Sequence, residues 1–219
     1  MGHDIFRNRR DLGSIPTLSN LLAHSHSRFI PTTGWLVDAS RAGALLGSSG
    51  MTQDVSSYAD DANFQVVLPF TFLFYGVAKT VYAGSNSFIT FGAGSNVFSS
   101  LSCTNPGKAL MIQAADNSWN AAYHKDNGNG SMRIRYEGHN ASSSGATNVT
   151  WEVTLYNDGK MMLVMGANAR ASGVCNINNG ANDSFCLTFT FAENQSWVFE
   201  PTQDGTTYNI YTGASVIPA

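Results

Sequence analysis

Phe64–Gly94 reads FQVVLPFTFLFYGVAKTVYAGSNSFITFGAG. Two β-rich runs, Phe64–Tyr75 and Thr80–Phe91, are separated by Gly76 and a short polar step. The first is almost continuously apolar and aromatic, which predicts a strand buried on both faces or at the centre of a sandwich. In the second, Val81, Ala83 and Phe88, then Thr90 with Phe91, bracket Gly84-Ser85-Asn86-Ser87. Those four residue types predict a turn, because they tolerate φ > 0 and bond side chain to backbone.

Downstream, the chain keeps the same grammar. Lys108–Ala115 predicts a buried strand, and Asp116–Tyr123, with Trp119, a loop or short turn. Asp126-Asn127-Gly128-Asn129-Gly130 is a turn before Met132–Glu137, where Ile134 and Tyr136 alternate with Arg133 and Arg135. Gly138–Thr147 predicts a polar loop. Trp151–Tyr156 and Lys160–Met165 flank Asn157-Asp158-Gly159, the clearest hairpin, with Val153 and Leu155 expected to face Met161, Leu163 or Met165. Residues 166–182 predict a Gly/Asn/Ser-rich loop and Ser184–Phe191 an aromatic strand. Trp197–Glu200 and Tyr208–Tyr211 flank a turn at Asp204-Gly205. Eight to ten regularly spaced strands predict an all-β fold, a two-sheet antiparallel sandwich over residues 51–219.

Upstream, residues 1–50 predict an extended N-terminal arm containing a short helix. Ser14-Ile15-Pro16 resembles an N-cap with proline in the first turn. Ile15, Leu18 and Leu22 then share a face, with Leu21 alongside. So short a helix needs something to lie against, which predicts an anchor on another subunit. The arm holds five arginines (Arg7, Arg9, Arg10, Arg28, Arg41) against Asp4, Asp11 and Asp38, a balance of +2. Residues 51–219 hold seven basic and twelve acidic residues, a balance of −5. Arg7, Arg9 and Arg10 read either as part of a solvated terminus or as an arm docking on an acidic neighbour. They are too few to argue for nucleic acid. Ala39–Leu46 predicts a helical turn, and Gly47-Ser48-Ser49-Gly50 a hinge.

Charged residues are only 12% of the chain, which suits an all-β protein in a large assembly or outside a cell. Cys103, Cys175 and Cys186 are an odd number; a Cys175–Cys186 bridge would close the loop between them, and a reduced trio is the favoured reading. No apolar h-region follows Met1 and no run has the length of a membrane helix, so synthesis in the cytoplasm without membrane insertion is expected. No hydrolase, metalloprotease, phosphate-loop or zinc motif is present, and the reading is non-enzymatic and cofactor-free. Three residues are held out for ligand binding: Asp116, against its reading as a buried cap of loop amides, and the expected loop aromatics Trp119 and Tyr123. Asp60-Asp61 is weighed as a calcium pair but reads as a solvated turn for want of further oxygen ligands. His24 and His26 project to one side of an extended chain. A trimer would then offer six nitrogens to a metal, although two exposed histidines is the favoured reading.

Four motifs in order carry a resemblance over roughly Tyr58–Phe199. LPF-x-F-x-FYG followed by VYAGSNSFITFG is similar to the signature of nidogen-type β-sandwich modules. It resembles more closely a domain of tail-fibre and other virion proteins of tailed bacteriophages, especially those of cyanobacteria. There it is followed by an AADNS stretch, a YRIRYEG strand and a YEVTFY strand. Here stand Ala114-Ala115-Asp116-Asn117-Ser118, Met132–Gly138 and Trp151–Tyr156. The resemblance implies a jelly-roll-like or nidogen-like sandwich in a virion structural protein. A short tail-fibre or baseplate-attached protein is the first form considered, a capsid decoration protein the second and a glycan-binding or glycan-cleaving subunit the third. The implied partners are other virion proteins, further copies of the chain (a trimer is the natural number for a fibre) and a host-surface glycan. His24 and His26 resemble the His-x-His metal sites of some phage fibres and spikes.

Overall fold

A computed structural model describes residues 35–37, 45–141, 149–166, 173–181, 186–189, 193–213 and 216–218. Among these, every regular element is a β-strand. The expected short helix and its residues Ile15, Leu18, Leu21 and Leu22 lie outside the described residues. So do Arg7, Arg9, Arg10, His24 and His26.

The larger sheet has eight strands. Along its main path run β17 (Tyr208–Gly213), β16 (Ser196–Pro201), β13 (Met161–Met165), β12 (Val149–Tyr156), β11 (Ser131–Asn140), β10 (Asn117–Asp126) and β2 (Thr52–Val55), with β3 (Ala59–Asp60) also pairing with β10. The smaller sheet orders β15 (Cys186–Thr188), β14 (Val174–Asn179), β9 (Lys108–Ala114), β8 (Phe88–Phe91), β7 (Val81–Gly84) and β4 (Asn63–Val66). A hairpin of β5 (Phe72–Phe74) and β6 (Val77–Lys79) stands apart, as does the pair of β1 (Trp35–Val37) and β18 (Val216–Pro218).

Side chains from both sheets share one hydrophobic cluster. The larger sheet supplies Trp151, Val153, Leu155, Leu163, Tyr136 and Trp197; the smaller supplies Val81, Ile89, Phe91, Leu110, Ile112 and Ile177. Removing this apolar surface from water is the main stabilising term of a sandwich-like body. Phe74 of the hairpin stacks on Phe91 at 3.7 Å between ring centroids, so β5 closes the core although it belongs to neither sheet.

The hairpin expected at Asn157-Asp158-Gly159 forms, pairing Val153 with Leu163 and Leu155 with Met161. Gly159 is required there: at φ +86° a Cβ would stand 2.8 Å from the Leu73 carbonyl. The turn at 126–130 likewise joins β10 to β11.

Other expectations are corrected. Phe64–Tyr75 is not one strand buried on both faces. It breaks after Val66 and resumes at Phe72, and Val67 is 73% exposed. Pro69 cannot donate to a ladder, and β4 is an edge strand with one neighbour. Asp116–Tyr123 is not a loop, because β10 begins at Asn117. Within residues 166–182, β14 is a strand paired with β9, and its Asn176 and Asn178 bond each other at 2.8 Å in the interior. The favoured reduced trio of cysteines, and the alternative Cys175–Cys186 bridge, give way to a Cys103–Cys186 disulfide. Cys175 is the buried free thiol, and its sulfur accepts the Gln113 amide.

The chain is fixed to the larger sheet before residue 51. The Glu152 carboxylate, 3% exposed, accepts the backbone amides of Leu46 and Gly47 at 3.0 and 2.9 Å. It also accepts Arg135 at 2.8 Å, and Arg133 lies 3.8 Å away. Burial opposes the charge of Arg135, but its bonds to Glu137 and Glu152 hold the guanidinium protonated beyond its ordinary range.

Candidate functional site

The turn between β7 and β8 positions the one cluster of acidic side chains among the described residues that is close enough to share a metal ion. Ser85, Asn86 and Ser87 are fully buried. Their polar atoms must therefore find partners inside the protein, and they do so across both sheets. Ser85 Oγ accepts the Ala62 amide at 2.9 Å, while the Ser85 carbonyl accepts the Tyr136 hydroxyl at 2.6 Å. Burial, with the charge of Asp60 adding to it, pushes the Tyr136 phenol far above its usual range, so it acts as a donor. Ser87, held at φ +65°, accepts Trp151 Nε1 at 2.8 Å and donates to the Ile112 carbonyl. Asn86 accepts the Asn117 amide through Oδ1 at 2.8 Å. Its Nδ2 donates to Asp61 Oδ1 and to the Val97 carbonyl, both at 3.0 Å.

Asn86 therefore links the buried hub to the surface. Asp61, at φ +45°, directs its amide to Asp60 Oδ1 at 3.0 Å. Asp60 is brought over β10 by its pairing with Ser118, and Asp116 projects from the connection between β9 and β10. One carboxylate oxygen from each of Asp60, Asp61 and Asp116 lies within 4.8 Å of the others. Asp60 and Asp116 are exposed and Asp61 is half-buried. Three carboxylates at this spacing suit a hard cation chemically, but calcium takes roughly six to eight oxygens. One oxygen from each would supply at most half of that shell.

The three residues held out for ligand binding are separated by the fold. Asp116 is exposed and so is not a buried cap. Trp119 is 1% exposed and packs on Phe64 with ring centroids 5.4 Å apart. It is a core side chain and offers no exposed platform. Tyr123, half-buried on β10, stands opposite Arg135 on one neighbouring strand and Gln53 on the other. What the sequence reading missed is that Asp60-Asp61 and Asp116, some fifty-five residues apart, meet. The pairing of β3 with β10 decides this, and no local pattern announces it.

No family model, curated protein or solved structure matches this chain.

Proposed function

We propose that the chain is a non-enzymatic structural protein of a tailed-bacteriophage virion. It is a short tail-fibre or baseplate-attached protein whose N-terminal arm anchors it and whose β body faces outward to bind a host-surface glycan. The observation that carries this reading is the ordered motif set LPFTFLFYG, VYAGSNSFITFG, AADNS, MRIRYEG and WEVTLY. These residues also build the interior. Phe72 and Phe74, the Ser85–Ser87 hub, Tyr136 and Trp151 all come from them and are buried together. A sequence pattern spent on the interior is the kind that marks a domain type rather than a chemistry. The finer arrangement belongs to the same proposal: a jelly-roll-like or nidogen-like sandwich, assembled as a homo-oligomer.

In this reading Arg7, Arg9, Arg10 and the Ile15/Leu18/Leu21/Leu22 face dock into the particle, while the body presents its loops on a rigid scaffold. Immunogold labelling of intact particles with antibody against residues 51–219 tests it. Gold on the tail tip or fibres is the expected result. Gold over the head means decoration of the capsid. Protein in the lysate with no label on any particle overturns the virion reading and restores a glycan-cleaving one, whose first test is Asp116→Ala.

A further inference from the structure

Lys108 opens β9 and Asp116 follows its other end, so the two termini of one strand carry opposite charge. Beside Lys108 a cavity of about 260 Å³ opens, lined by Tyr75, Val77, Lys79, Lys108, Asn179 and Gly180. Its walls are built. Asn179 pairs with Lys108 in register. Gly180, at φ +73°, lets the turn after β14 close onto β9 where a Cβ would stand 2.7 Å from the Lys108 backbone nitrogen. The Tyr75 ring is wedged edge-on between Phe74 and Tyr208, at 4.8 and 5.0 Å between centroids.

Charge supplies the second observation. Arg133 and Arg135 are paired with Glu152, and Lys160 with Asp158 and Glu200. Lys79 and Lys108 make no ion pair among the described residues, although residues 51–219 carry a balance of −5. Two lysines that line one cavity and make no ion pair among the described residues favour an anion there. A fixed phenol ring, the half-exposed Val77 side chain and the Asn179 amide add an apolar wall with polar handles. The volume falls just below the roughly 300–1,000 Å³ of pockets for drug-sized ligands, and so suits a single small ring.

We infer that this cavity binds an acidic saccharide of the uronic-acid class, its carboxylate held by Lys79 and Lys108 and its ring against Tyr75 and Val77. The inference gives a chemistry to the host-surface ligand of the reading above, and rests on that reading only for the ligand's source.

Isothermal titration calorimetry on the full 219-residue chain tests it with digalacturonate, its neutral counterpart galactobiose, and inorganic sulfate. Digalacturonate is expected to bind, and more weakly as salt is raised. Loss of a charged hydrogen bond sets the other expectations: galactobiose at least about tenfold weaker, and Lys79→Ala and Lys108→Ala each lowering digalacturonate affinity about tenfold. Neither lysine is buried, so the unfolding midpoint should not move. The inference is overturned if digalacturonate does not bind, if galactobiose or sulfate binds as tightly, or if neither lysine variant weakens binding. Gold on particles without digalacturonate binding removes this inference alone. Binding without gold on any particle removes the virion reading alone.

Discussion

Ser87→Ala is the sharpest probe of the hub. Ser87 is fully buried, and its hydroxyl receives Trp151 Nε1 from the larger sheet at 2.8 Å while donating to Ile112 of the smaller. Alanine leaves the indole donor unpaired in a dry interior, which costs about 1–3 kcal/mol, and takes a donor from the Ile112 carbonyl. Together these set an expected loss of about 2–4 kcal/mol. For a chain of this length that lowers the melting temperature by roughly 5–15 °C. Ser87→Gly loses the same hydroxyl but relieves the left-handed backbone, so it should be about 1 kcal/mol milder than alanine. The assay is urea unfolding followed by tryptophan fluorescence and circular dichroism, completed as a double-mutant cycle with Trp151→Phe. A coupling of about 1 kcal/mol is expected if the two groups bond each other. Additive effects, or a Ser87→Ala variant within about 0.5 kcal/mol of the parent, would refute the claim that this bond ties the sheets together.

Glu152→Gln should destabilise by about 3 kcal/mol, because it takes the counter-charge from buried Arg133, leaves Arg135 with Glu137 alone and gives up a carboxylate that holds Leu46 and Gly47; an unchanged urea midpoint counts against the clamp. Reducing Cys103–Cys186, which are 83 residues apart, should cost about 4–5 kcal/mol in the chain-entropy account. Thiol titration of unfolded, unreduced protein should find one free cysteine, and three would remove the bridge. Burial raises the phenols of Tyr75, Tyr136, Tyr156 and Tyr208 above their ordinary value. Below about pH 10 both states keep those protons. Above it only the unfolded chain releases them, so stability falls as pH rises toward the folded-state values. Absorbance at 295 nm should show these tyrosines ionising together with loss of structure. All eight tyrosines ionising near their ordinary value in a folded protein would contradict the burial.

Legibility in the sequence tracked locality. The turns at 126–130 and 157–159 were readable because glycine, asparagine and aspartate meet backbone demands within a few residues, and Val153 and Leu155 were readable as the face of β12 turned toward Leu163 and Met161. The Gly84–Ser87 turn was readable for the same reason, but nothing local says that it is buried. Its Ser-Asn-Ser has the composition of a solvent loop, and only the sheets closing over it turn those side chains into a hub. The same holds for β14, whose asparagines look like loop residues until β9 and β15 take up its backbone.

Sequence alone determined the all-β character of the described body and its main hairpins, since these follow from periodicity and turn chemistry. Tertiary structure alone decided that Trp119 is interior, that Cys103 meets Cys186, that Asp116 joins Asp60 and Asp61, and that Lys79 and Lys108 face one cavity. Each of these joins residues far apart in the chain, brought together by strand order, which short-range propensities do not encode.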